Sequence, residues 1–244
     1  DTLIAAGASL TQLDNQRYRQ LLVISELFRQ QQWMYQHRQR RIDDRIVSIA
    51  QPHVRPIVRG KAGTPVEFGA KIAISCINGY VFLDHLDWDN FNESTDLPEQ
   101  IEQFKRRFGH YPASVHADQI YRTRANRKYC QERGIRLSGK PLGRPNLSQQ
   151  ADLQKQAQAD AAIRNQVEGK FGVGKRRFSL GRVMAKLAPT AETAIAMTFL
   201  VMNLEQLLRQ LLFVFFAVVL SQGMLKFNHW QRQWRDPQFL LMAA

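Results

Sequence analysis

K-I-A-I-S-C-I-N-G-Y-V-F-L-D-H-L, residues 71–86, decides the fold. Its two halves, Lys71–Ile77 and 80–86, are rich in β-branched and aromatic residues. Between them stands Asn78-Gly79, the dipeptide that most readily takes the positive φ angles of a two-residue hairpin turn. The stretch therefore predicts an antiparallel pair. Upstream, Pro52 and Pro56 divide residues 46–61 (I-V-S-I-A-Q-P-H-V-R-P-I-V-R-G-K) into two short extended segments, because a residue before proline is pushed out of the helical region. Earlier still, residues 13–41 read as a helix with Leu21, Ile24, Leu27 and Phe28 as its apolar stripe.

Downstream of the hairpin, Leu97–Phe108 repeats apolar residues at helical spacing and stops at Gly109. Residues 114–117 (S-V-H-A) form a short strand running directly into Asp118. A helix over 124–133 closed by Gly134, a strand over 135–137 and a Gly/Pro loop over 139–145 follow. Helices over 147–170 and 190–220 complete the chain. This order predicts an α/β fold, with an antiparallel hairpin at one side of a mixed sheet, parallel strands beyond it and flanking helices. An N-terminal helix and a long C-terminal helix are appended.

The 244 residues carry a formal net charge of +13, which a polyanion binder needs and an enzyme acting on small neutral substrates does not. The excess is concentrated. Between positions 119 and 186 stand sixteen Lys/Arg against four acids, Glu132, Asp152, Asp160 and Glu168. Cys76 and Cys130 are far apart and show no metal-ligand spacing, which argues against a zinc site and fits a reducing cytoplasm. Cys76 reads as a small buried hydrophobe. No signal-peptide pattern opens the chain. The apolar run 211–220 is shorter than the roughly 20 residues a bilayer requires, so a buried helix, not a membrane span, is expected there.

Two acids stand out by context. Asp118 lies where the carboxyl end of a strand meets a turn, the edge at which α/β folds gather reactive groups; the plain alternative is an N-cap for the next helix. Glu168 lies in R-N-Q-V-E-G-K-F-G-V-G-K (164–175), spaced i,i+4 from Arg164, so a surface ion pair is its plain alternative. Its flank reads as a glycine-punctuated turn followed by Lys175, Arg176 and Arg177. A carboxylate there would repel a phosphate backbone unless a divalent cation intervenes, as in phosphodiester chemistry with paired Mg²⁺ ions about 3.5–4 Å apart. Other candidates read as structural. Asp84, Asp87 and Asp89 suggest a solvated turn, Trp88 and Phe91 core anchors, and His53, His85, His110 and His116 share no ligand spacing. Arg55, Arg59 and Lys61 are further phosphate-contact candidates.

The stretches 44–61, V-E-F-G-A-K (66–71), A-D-Q-I-Y-R-T-R-A-N-R-K (117–128) and 164–177 together resemble the DDE transposases of bacterial insertion sequences, of the insertion-sequence-four and insertion-sequence-five groups. The resemblance spans about residues 42–208 and implies an RNase H-like catalytic domain over 42–210. Residues 1–41 then form a helical segment, and 211–244 a helix end and tail. It implies Mg²⁺-dependent DNA strand cleavage and transfer, with DNA as partner, assembly of several copies on DNA ends, and Asp118 and Glu168 as catalytic metal ligands. Arg164, Glu168 and Lys175 match the family's Tyr-x2-Arg-x3-Glu-x6-Lys pattern, with Ala161 in place of the tyrosine. By the same resemblance Arg164, Lys175, Arg176, Arg177, Tyr121 and Arg127 are expected to contact DNA. The family's first catalytic aspartate has no counterpart in a strand context here. Asp43 and Asp44 are the only substitutes, and the expectation is a chain that begins after that residue and is inactive alone. A non-catalytic DNA-binding remnant is the alternative reading.

Overall fold

A computed structural model describes residues 2–7, 9–58, 66–139 and 150–234. The chain divides into two compact units, Asp1–Phe199 and Leu200–Ala244. In chain order the first unit opens with α1 (Thr2–Ala5) and α2 (Asn15–Gln36), then β1 (Arg55–Val58), β2 (Val66–Gly69), β3 (Lys71–Ile77) and β4 (Tyr80–Asp87). It continues through α3 (Leu97–Phe108), β5 (Ser114–Val115), α4 (Arg124–Glu132), β6 (Arg136–Leu137) and α5 (Gln150–Arg177). The last helix, α6 (Ala188–Trp234), begins in the first unit and forms the described part of the second.

The hairpin stands as its sequence dictates. β3 and β4 pair antiparallel from Lys71↔Asp87 to Ile77↔Tyr80, with a register shift at Ala73/Ile74. Asn78 and Gly79 both take positive φ, 52° and 84°, matching the right-handed twist of the strands they join. β1 pairs antiparallel with β2, a strand that the proline spacing does not reveal. β5 and β6 pair in parallel over two residues each. Among the described residues the strands thus form three separate two-stranded sheets rather than one mixed sheet.

What holds β5 and β6 is a small core. Leu97 and Ile101 of α3, Cys130 of α4 and Ile135 are all at most 5% exposed, and Val115, Tyr121 and Leu137 pack on them. Two-residue strands have no stability of their own, so this apolar cluster fixes where the chain leaves β5 toward Asp118. Asn126, 3% exposed, adds polar staples: its amide donates to the carbonyls of Ser94 (2.7 Å) and Tyr121 (2.8 Å). Gly109 and Gly134, at φ 80° and 68°, end α3 and α4 as expected.

Several expectations are corrected. The stripe of α2 is only partly covered: Leu21 and Leu27 are half-buried, Ile24 and Phe28 are exposed, and the fully buried residues are Gln30 and Met34. Gln30 is held in its buried place by bonding, accepting from the Ile46 amide at 2.9 Å and donating to the Asp44 carbonyl at 3.2 Å. Cys76 is half-buried, while Cys130 is the enclosed cysteine. The turn expected after Glu168 is helix. α5 runs unbroken through Gly169, Gly172 and Gly174 to Arg177, and Ser179 (φ 56°) lies just beyond its end. Glycine in a helix interior costs about 1 kcal/mol relative to alanine, which is why the segment reads as a break. α6 also extends past the expected 220, to Trp234. Its stretch Ala188–Leu220, in which an 18-residue window has mean hydropathy 1.5, is long and apolar enough to cross a membrane by length and composition, so the length argument against a span no longer applies. Arg59 and Lys61, and most of the loop over 139–145, lie outside the described residues.

Candidate active site

A cleft of about 1320 Å³ opens in the first unit. One wall is β3, through Ile72, Ile74 and Cys76; another is the segment from Ser114 to Asp118. A third is one face of α5, presenting Arg164, Val167, Glu168, Phe171 and Lys175, residues three or four apart and therefore stacked along the helix. The two acids singled out by sequence thus share a single cleft.

Asp118 ends its extended segment at φ −65°, ψ 166° and precedes a 3₁₀ turn, Gln119–Tyr121. It occupies the cap position, yet its carboxylate makes no capping bond; the turn is closed instead by its carbonyl, which accepts from the Tyr121 amide at 3.1 Å. The side chain is 66% exposed and lies 3.4 Å from Arg164 Nε. The carboxylate lines the cleft, is unused by the backbone and has Arg164 as its ion partner. Among the described residues, the ion pair of Arg164 is with Asp118, not with Glu168 one turn further along its own helix. Glu168 itself is exposed on the same face.

Behind this pair lies a buried ionic cluster that the sequence does not announce. Asp160, 7% exposed, accepts two bonds from the Arg136 fork, at 2.9 and 2.8 Å, and lies 3.2 Å from His116 Nδ1. The Arg136 guanidinium holds the Asp160 carboxyl below its ordinary value, against the effect of burial. Burial pushes the His116 imidazole down and so favours its neutral form, opposed by Asp160. Sequence did contain one usable signal: Asp160, Arg164 and Glu168 repeat at i, i+4 and i+8.

The remaining candidates are sorted by placement. Tyr121 lines the cleft with its ring packed on the core. Burial first, then the charges of Glu93, Asp96, Asp118 and Asp84, raise its phenol far above the ordinary range, so it stays protonated and can donate. Lys175 lines the cleft, whereas Arg176 and Arg177 stand exposed in the last turn of α5, where cations complement the helix dipole. Arg127 lies on α4 and donates to the Arg122 carbonyl at 3.3 Å. Asp44, at φ 53°, lies 3.7 Å from Arg55 Nη2, and Arg55 Nε lies 3.8 Å from Asp89. Neither Asp43 nor Asp44 lines the cleft. Asp84 is not in a solvated turn: it lies in β4 with a side chain 1% exposed, 2.8 Å from Arg107, and burial raises its pKa. Trp88 is anchored through its indole N–H to Glu192 at 2.9 Å, and Phe91 stacks on His85. Among the described residues no three His, Cys, Asp or Glu side chains group to hold a metal.

Residues 115–205 match the family model described as Transposase DDE domain. This segment holds Asp118, Arg164, Glu168 and Lys175, and it is consistent with the C-terminal portion of a DDE transposase, a class that uses divalent metal and acts on DNA. Neither the curated proteins nor the solved structures give a match to the chain.

Proposed function

We propose that the cleft is the catalytic site of a DNA transposase, performing Mg²⁺-dependent strand cleavage and strand transfer. The observation that carries this reading is the convergence of Asp118 and Glu168, from elements 50 positions apart in sequence, on one cleft that Arg164 and Lys175 also line. The donor set fits magnesium. Both acids are exposed and offer hard oxygens, and the ion retains several waters, so few protein ligands suffice. Bound there, the metal would activate the attacking oxygen and offset charge on the leaving oxygen.

The chain's own residues do the rest. Arg164 and Lys175 bring positive charge to the phosphate backbone from the same helix face as Glu168. Arg176, Arg177 and Arg127 extend that positive surface, and Tyr121 offers a phenol O–H held in its donor form. The RNase H-like sheet belongs to the same proposal. The cleft lies between β3 and the β5 segment, and among the described residues β3 pairs only with β4. A strand laid in it would join the hairpin and the parallel pair into one mixed sheet and carry a third acid beside Asp118. Assembly of several copies on DNA is part of the reading through the family alone.

The test is a Mn²⁺ titration of the chain; Mg²⁺-dependent nicking of supercoiled DNA is expected only once a third acid is supplied. Mn²⁺ binding should be lost in both Asp118→Asn and Glu168→Gln. Retention of binding in either variant sinks the assignment. A second reading, a non-catalytic DNA-binding protein, is favoured by the lack of a three-ligand group among the described residues. It predicts DNA binding without any metal binding.

A further inference from the structure

α5 needs an anchor that its apolar residues do not supply. Over 28 residues only Asp160 and Gly174 are buried, the first half is rich in exposed Gln and Ala, and the second half contains three glycines. Ile163, on the cleft side, is 44% exposed. Val167, Phe171 and Val173 are only half-buried, so hydrophobic contact alone sets the position of the helix weakly. A slip of one residue moves every side chain by about 1.5 Å along the axis and about 100° around it.

We propose that Asp160 is the positioning residue of the site: its two-pronged bond to Arg136 fixes α5 against β5 and β6, and thereby sets Arg164 and Glu168 opposite Asp118. The geometry is specific. Arg136 lies in β6, paired in register with Ser114 of β5, and His116 follows β5 by one residue. Asp160 therefore grips β6 through the Arg136 fork at 2.8 and 2.9 Å, while His116, 3.2 Å away without a hydrogen bond, places the end of β5 against the same carboxylate. A fork constrains rotation as well as distance, which a single contact does not. Two residues beyond His116 on the same segment stands Asp118, and one helical turn beyond Asp160 stands Arg164, in contact with it at 3.4 Å. One turn further is Glu168. The three rungs 160, 164 and 168 thus form a ruler, and Asp160 is its fixed end. Ser114 Oγ lies 3.0 Å from His116 Nε2 and steadies the ring from its other side.

This inference rests on the metal-site reading for its consequence but not for its geometry, and the experiment separates the two. Spin labels are placed at the exposed positions Gln119 and Asn165 of the full chain, with Cys76 and Cys130 replaced, and their separation is measured by pulsed electron resonance. The parent should give one narrow distribution. Asp160→Asn, which keeps shape and loses charge, should broaden or shift it while circular dichroism retains the helix content. Arg136→Lys, which keeps charge and loses the fork, should do the same in part. In unlabelled protein the same Asp160→Asn change should weaken Mn²⁺ binding at least tenfold. An unchanged narrow distribution in Asp160→Asn overturns the inference, whatever the metal does. If the parent binds no Mn²⁺ yet the distribution broadens, the positioning role stands and the metal reading falls.

Discussion

The state of a single carboxylate ties stability to the site. Asp160 has its pKa lowered from 3.8, chiefly by hydrogen bonding to Arg136. A depressed carboxyl contributes stability that is present above its unfolded value and lost as pH falls through the folded one. Asp160→Asn should therefore cost about 2 kcal/mol at pH 7, less than a fully buried pair because the Arg136 side chain remains 42% exposed to screening solvent. The difference should hold above the ordinary value of 3.8 and shrink as pH falls below it and through the lower folded value, because both chains then carry an uncharged group at this position. Urea unfolding at pH 7, 5 and 3 measures this, and a constant difference across that range would contradict the electrostatic account. Asp118 differs in kind: it is exposed and its carboxylate caps no backbone group, so Asp118→Asn should alter ligand binding and leave the unfolding free energy within about 0.5 kcal/mol.

At the scale of elements, the segment after Glu168 separates what patterning can reveal from what it cannot. If 168–177 is helix, Gly172→Ala should stabilise the chain by up to about 1 kcal/mol, since the added methyl meets only the tip of Arg176 at 3.7 Å. In a turn requiring positive φ the same change would destabilise, so thermal unfolding of this one variant distinguishes the two. The hairpin, α3 and α4 are legible because each rests on local signals: Asn78-Gly79 at a turn, and Gly109 and Gly134 at helix ends. The end of α5 is not, because local propensity disfavours glycine, whereas Gly174 is buried and the helix continues through it. Asp118 and Glu168 can be named from their contexts, but not the Asp118–Arg164 pair, which depends on where α5 lies. Asp160 is marked in sequence only by its spacing with Arg164 and Glu168; its partners Arg136 and His116, 24 and 44 positions away, are not legible there. For the same reason the α2 stripe misleads: Gln30 is buried by bonds to residues 44 and 46 that no periodicity records.

For the molecule as a whole, a net charge of +13 means that the proposed binding to DNA would be driven by counterion release, with placement of the cations deciding which of them count. Lys175 lines the cleft at the end of α5, while Lys128 sits on α4, 3.8 Å from Glu132. Binding to a random duplex should weaken steeply with salt, log K falling by roughly 0.9 per phosphate neutralised for each decade of salt. Lys175→Ala should reduce that slope by about one phosphate equivalent, without regard to DNA sequence. Lys128→Ala should leave the slope unchanged, because its charge is already matched on its own helix and removing it releases no DNA counterion. Fluorescence anisotropy between about 50 and 200 mM salt reads both slopes. Equal slope losses in the two variants would mean that DNA follows the diffuse charge of the surface rather than the cleft, leaving Asp118 and Glu168 with no phosphate to act on. A loss confined to Lys175 places the backbone along α5, where the Glu168 carboxylate about two turns away can meet it only with a cation between them.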